Sequence, residues 1–298
     1  MAMRSQLFRN LACGVGCTLV CVVAVAVSTA DAKPAPANLS ATQIVDRFIA
    51  ARGGLVAWHA VQSMSWSGKL DAGTGDSAAR SREFVKTMTV PVTKREAIAQ
   101  MTAPVMNTGK AKQVELPFVI DMERPNKSRV EIQFAGKTAV QVYDGKNGWM
   151  VRPYLNRDDA EPFTPDEAKS QAGKWRLDGP LMDYAANGAK VALEGVEPVD
   201  GHDAYRIKLT AKDGHVQHFW IDTQSFLDVK VEGTPRRMDG RTRTVWVYQR
   251  DFRDVNGLKI PFQLVTAVDG YPDTHKLVID KVALNPALNA ALFEKPGV

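Results

Sequence analysis

The chain has 298 residues, 45% of them hydrophobic and 24% charged, with 38 basic against 33 acidic side chains. Its three cysteines, Cys13, Cys17 and Cys21, all lie in the first 21 positions, and so small a net charge gives no argument for nucleic-acid binding. Met1–Ala32 reads as a secretory leader: Arg4 and Arg9 precede the apolar run Leu11–Val27, and Ala30-Asp31-Ala32 offers a small-residue cleavage site before Lys33. An uncleaved anchor is the alternative, since the run is near the lower limit for crossing a bilayer.

Cleavage leaves 266 residues with 36 basic and 32 acidic side chains, a net of +4, and no cysteine. The exported part, 33–298, then has no disulfide, no thiol nucleophile and no sulfur-ligated metal, so burial must hold it together. It reads as a single domain with a long insertion at about 73–112. Mixed Ser, Gly, Thr and Pro mark that insertion, with one helical turn at Lys94–Met101.

Ser40-Ala41-Thr42-Gln43 forms a capping box, and Ile44, Val45, Phe48 and Ile49 fall on one arc of a helix that Gly53-Gly54 ends. A shorter helical turn, Leu55–Val61, leads into a first strand at Ser63–Leu70 carrying Trp66. Strand signals then dominate. Val130, Ile132 and Phe134 alternate with Arg129, Glu131 and Gln133; Tyr205, Ile207 and Leu209 alternate with Arg206, Lys208 and Thr210; Leu227, Val229 and Val231 alternate with Asp228, Lys230 and Glu232. Asp144-Gly145, Asp200-Gly201, Asp213-Gly214, Asn256-Gly257 and Asp269-Gly270 supply hairpin turns, so neighbouring strands pair antiparallel. One helical insert interrupts them: Thr164-Pro165-Asp166-Glu167 opens a helix, and Pro180–Gly188 predicts a second, short one.

The motifs of catalysis are missing from this pattern. His215 and His218, three apart on a strand, point to opposite faces and make no metal pair. Asp158, Asp159 and Glu161 read as a solvated acidic cluster. No catalytic residue, metal ligand or cofactor is assigned. What the strands offer is a continuous apolar face, drawn from Trp66, Phe118 and Ile120, then Val130, Ile132 and Phe134, then Val140 and Val142. Tyr205, Ile207, Leu209, Phe219 and Ile221 continue it, followed by Val229, Val231, Val245 and Val247. Such a face serves a filled core and a lined cavity equally well.

The segment Met122–Glu131 with its Arg124-Pro125 step, followed by Val142–Pro153 with Asp144-Gly145-Lys146 and Trp149, resembles the LolA-like family of periplasmic lipoprotein carriers. Gly179-Pro180-Leu181-Met182, Tyr205–Leu209, Trp220-Ile221-Asp222 and Leu292–Pro296 extend the resemblance over roughly Ser40 to Pro296. It implies an α+β, mainly β fold, an incomplete antiparallel β-barrel whose short helices cover an apolar concave face. It implies a ligand too, the acyl chains of a lipoprotein or lipid, with inner- and outer-membrane partner proteins, a periplasmic location and a monomer. Arg124 matches the family's lid-latching arginine, and Leu181 and Met182 fall in the lid; a surface arginine at a strand end is the plainer reading of Arg124. Pro235–Arg243 carries Arg236, Arg237, Arg241 and Arg243 around a turn, for head-group or partner contact or simply for a soluble hairpin. An envelope interaction or stress-sensing module is the alternative function, and an unrecognised hydrolase a distant third.

Overall fold

The computed structural model describes residues 38–71, 114–171, 176–238, 240–272 and 274–297. The leader and the insertion at 73–112, with its Lys94–Met101 turn, lie outside the described residues. Ser40 caps α1 (Ala41–Ala51) in the expected reciprocal box with Gln43, and the helix buries Ile44, Val45 and Phe48. Gly53 then turns the chain at φ +112°, where a Cβ would stand 2.4 Å from the Gly257 carbonyl oxygen, so only glycine permits this approach. The short helix α2 (Leu55–Ala60) follows, with Trp58 buried.

The remaining elements are β1 (Ser63–Asp71), β2 (Glu115–Glu123), β3 (Lys127–Phe134), β4 (Lys137–Tyr143), β5 (Gly148–Arg152), β6 (Arg157–Pro162), helix α3 (Pro165–Gln171) and β7 (Lys190–Val199). Then come β8 (His202–Thr210), β9 (Val216–Asp222), β10 (Asp228–Met238), β11 (Arg241–Val255), β12 (Leu258–Val268) and β13 (His275–Leu284). All thirteen strands join one antiparallel sheet in the order β6-β5-β4-β3-β2-β1-β13-β12-β11-β10-β9-β8-β7, which does not close. The tight turns behave as their chemistry dictates: Asp200-Gly201 has φ of 50° and 84°, and Asn256-Gly257 has 50° and 85°.

Val130 and Ile132 of β3 and Ile207 and Leu209 of β8 belong to a single hydrophobic cluster, although their strands stand eight places apart in the sheet. A flat sheet would separate them by about 38 Å, whereas α1 is only about 16 Å long. The sheet therefore curls around the cluster, as an incomplete barrel with α1 and α2 on its inner side. The two edge strands, β6 and β7, are consecutive strands in the chain, separated in sequence by residues 163–189.

Two expected features differ. Pro180–Gly188 is a succession of turns rather than a helix. Seven residues between a proline and a glycine are too few for a stable helix in isolation; Leu181 and Met182 are buried all the same. In β10 the expected alternation fails, because a bulge between Asp228 and Lys230 interrupts the pairing with β9. Asp228 is buried as a result, and Val229 packs on the outer side of the sheet with Val199, Ala204 and Trp220.

Candidate functional site

The inner face of the sheet brings together most of the apolar residues singled out from the sequence. Phe118, Ile120, Val130, Ile132, Tyr205, Ile207, Leu209, Phe219 and Ile221 are buried in the main cluster, with Leu181 and Met182 from the turns above them. Trp66, Phe134 and Val231 pack against that cluster while remaining only partly buried. Val245 and Val247 lie on the same face, because Val247 stands directly opposite the inward Val231 and Val245 is two residues along the strand.

Val140 and Val142 are not brought to this face. Ile132 pairs with Ala139 and Val130 with Gln141, so Ala139 and Gln141 point inward and the two valines point outward. Val140 helps line a shallow pocket of about 380 Å³ on the outer side, formed with Arg129, Val151, Leu292 and Pro296. Val229 is likewise outside, for the reason given by the β10 bulge.

Two polar devices fix the cover to the sheet. The first is buried: Arg52 Nη1 donates to Asp228 Oδ1 at 2.6 Å, and Gln249 Nε2 donates to Asp228 Oδ2 at 2.7 Å. The Arg52 guanidinium lies 5.9, 5.1 and 5.7 Å from the ring centroids of Phe48, Trp58 and Phe252, and the Arg52 carbonyl accepts from Trp58 Nε1 at 3.0 Å. This ties α1 and α2 to β10 and β11.

The second device centres on Arg124, in the turn between β2 and β3. Its Nε donates to the Val61 carbonyl at 2.7 Å and its Nη2 to the Trp58 carbonyl at 3.0 Å. Both are carbonyls at the end of α2; the Trp58 carbonyl also accepts the backbone N–H of Val61 at 3.1 Å. The same guanidinium forks onto Asp178, Nη1 to Oδ1 at 3.2 Å and Nη2 to Oδ2 at 2.8 Å. Asp178 opens the turn segment that carries Leu181 and Met182, so one side chain clasps the end of α2 and the start of the cover together. Beside it, His59 Nε2 meets Asp183 Oδ2 at 2.7 Å. His59, Asp178 and Asp183 present their ligand atoms within 4.8 Å of one another, but both oxygens of Asp178 are already engaged by Arg124. The group forms a polar clasp between α2 and the turn segment.

Sequence reading reached Arg124 and missed its partner. Asp178 before Gly179-Pro180 looks like ordinary turn chemistry, and Asp183 lies 124 residues from His59, so neither carries a local signal. His218 of β9 sits between Glu232 and Glu194, on the side of the sheet occupied by Trp220.

No protein-family model matches the chain, and no curated protein matches it. Among solved structures, it is similar to a LolA superfamily protein from Nitrosomonas europaea at TM-score 0.49 and 14% identity, over 86% of this chain and 98% of that one. It is also similar to a DUF1329 family protein from Desulfovibrio piger at TM-score 0.49 and 12% identity, over 85% and 97%. The lipoprotein LppX from Mycobacterium tuberculosis aligns at TM-score 0.30 and 12% identity, over 83% and 97%.

Proposed function

We propose that the protein is a non-catalytic carrier of the bacterial envelope that shields the acyl chains of a lipoprotein or lipid against the inner face of its open sheet. The carrying observation is that the apolar face extends beyond its cover. The part under α1, α2, Leu181 and Met182 is buried, whereas Trp66, Phe134, Val231, Val247, Leu264 and Val282 on the same face are only partly buried. Each methylene moved from water onto such a face contributes about 0.8 kcal/mol. The Arg124 clasp supports the reading, because polar bonds at the end of α2 can exchange for water at small net cost, unlike a packed hydrophobic seam. Opening would then extend the apolar face under the turn segment.

The location rests on the leader Met1–Ala32, and none of the described helices is long and apolar enough to cross a membrane. Unloading requires an acceptor with a better site, which assigns the inner- and outer-membrane partners their place. Native mass spectrometry of the protein recovered from its own exported compartment tests the proposal. We expect a bound mass that solvent extraction identifies as an acylated lipid or lipopeptide. A clean apo mass with no extractable acyl chain would overturn it.

A further inference from the structure

The pairing registers line up a single row of side chains across the inner face. Met150 of β5 stands opposite Gln141 of β4, and Gln141 opposite Val130 of β3. Val130 stands opposite Ile120 of β2, Ile120 opposite Trp66 of β1, and Trp66 opposite Val282 of β13. Directly opposed residues share a face, so these side chains form one strip, about 24 Å long at the usual strand spacing. The strip is covered at one end and open at the other: Met150, Gln141, Val130 and Ile120 are buried, whereas Trp66 and Val282 are only partly so. Every member is apolar except Gln141.

That glutamine is 3% exposed, and its Nε2 is buried with no hydrogen-bond partner. A buried amide ordinarily has its donors answered, because stripping them of water without replacement is unfavourable. The flanking side chains cannot answer this one. Val130 and Met150 lie to either side of it, and Ala139 and Tyr143 precede and follow it on the same face of β4. The Tyr143 hydroxyl is turned away to the Gly145 carbonyl, at 3.0 Å. Arg152, two residues beyond Met150 and also buried, has Glu161 and Glu167 each 3.5 Å from its Nη2. A cation held by two carboxylates does not invite a further anion, so the donor of Gln141 is set for a neutral acceptor.

We propose, building on the carrier reading above, that Gln141 donates to the carbonyl oxygen of an acyl linkage, ester or amide, and so fixes where the acyl chain begins. A carbonyl is a strong uncharged acceptor. A free carboxylate would bring an unpaired charge into an apolar strip, and an ether oxygen is a poorer acceptor. From Gln141 the tail has Val130, Ile120, Trp66 and Val282 to lie along. The head leaves the other way, past β5 to the edge strand β6, two strands from β4 in the sheet.

The full chain is offered an equimolar mixture of dioleoylglycerol, the matching dioleyl ether and the matching bis-oleoylamide in detergent micelles, and the lipids released from the protein are read by mass spectrometry. Wild type should take up the ester, the amide or both about tenfold over the ether, the selectivity of one buried hydrogen bond. Whichever of the two predominates identifies the linkage. Gln141→Met, similar in size, should load all three equally. It should also raise the unfolding midpoint of the unloaded protein, because the unanswered donor is gone; a lowered midpoint would mean that the amide is answered within the protein and overturns the proposal. Equal loading by wild type, or a preference that survives in Gln141→Met, overturns the role of Gln141 and leaves the carrier standing. Uptake of none of the three overturns the carrier and this role together. Should the variant not fold, the ¹⁵N-labelled side-chain amide of Gln141 in wild type decides. A downfield proton shift with the ester or amide but not with the ether supports the assignment, and an identical response to all three overturns it.

Discussion

Arg124 holds both carboxylate oxygens of Asp178, at 3.2 and 2.8 Å, while donating to the Val61 and Trp58 carbonyls at the end of α2. Asp178 is the buried partner, its side chain 6% exposed against 26% for Arg124. Removing the arginine therefore leaves a buried carboxylate and the Val61 carbonyl without this donor, while the Trp58 carbonyl keeps the backbone N–H of Val61. Arg124→Gln should cost about 3 kcal/mol, the lower end of the range for breaking a buried pair. Denaturant unfolding measures the loss, and hydrogen exchange should quicken first in 176–188. A double variant with Asp178→Asn should recover part of the loss; a strictly additive cycle would show that the two residues do not act together.

Arg52 and Asp228 make the stricter comparison, since both side chains are 10% exposed and the guanidinium is enclosed by three aromatic rings. Asp228→Ala should cost about 3–5 kcal/mol by leaving the guanidinium uncompensated. The exposed Arg250–Asp200 pair, 42% and 45% exposed, should yield no more than about 1 kcal/mol when Asp200 is removed. Equal losses at the two sites would refute this ranking.

His59 and Asp183 offer a way to lock the cover. No cysteine occurs in 33–298, so His59→Cys with Asp183→Cys places two unique thiols where a 2.7 Å contact now lies. Joined by a short bismaleimide, they should suppress acyl-lipid loading at least tenfold, with the unlinked double variant loading normally. Undiminished loading in the linked protein would mean that the cargo enters without the turn segment moving.

Lys230 carries a pH signature. Its ammonium lies 4.1, 5.1 and 5.6 Å from the centroids of Trp220, Trp246 and Tyr248, and burial holds its pKa below the ordinary value of 10.5 despite the attraction of Glu197. Between the lowered folded value and 10.5, the unfolded chain binds more protons than the folded one, so this residue makes stability rise with pH through that window. The unfolding free energy of wild type should therefore climb relative to that of Lys230→Met as the pH is raised toward 10.5. Parallel pH profiles would contradict the assignment.

The strands, their turns, the capped first helix and the arginine at the Arg-Pro step could all be read from the sequence, because each is a local pattern. The failures share one cause, dependence on a distant partner. In Thr138–Tyr143 the valines alternate cleanly, yet Val142 is fully buried on the outer side, while Gln141, facing inward opposite Val130, is 3% exposed. Both faces of β4 are covered there, so apolar alternation gives no direction. The bulges that bury Asp228 and place Arg236 opposite Arg243 are set by β9 and β11 rather than by β10 itself. Asp178 has no meaning until Arg124 is beside it.

The order of the sheet also bears on how the chain reaches this state. Its middle is the pairing of β1 with β13, where Trp66 lies opposite Val282, more than two hundred residues away along the chain. On either side, β2 to β6 and β7 to β13 are runs in which every strand pairs with its sequence neighbour. Local hairpins of this kind form early, and the loop closed by the central seam carries the largest entropy cost. The seam is therefore the late step of folding, and a chain cut before His275 would retain two meanders with nothing to join them.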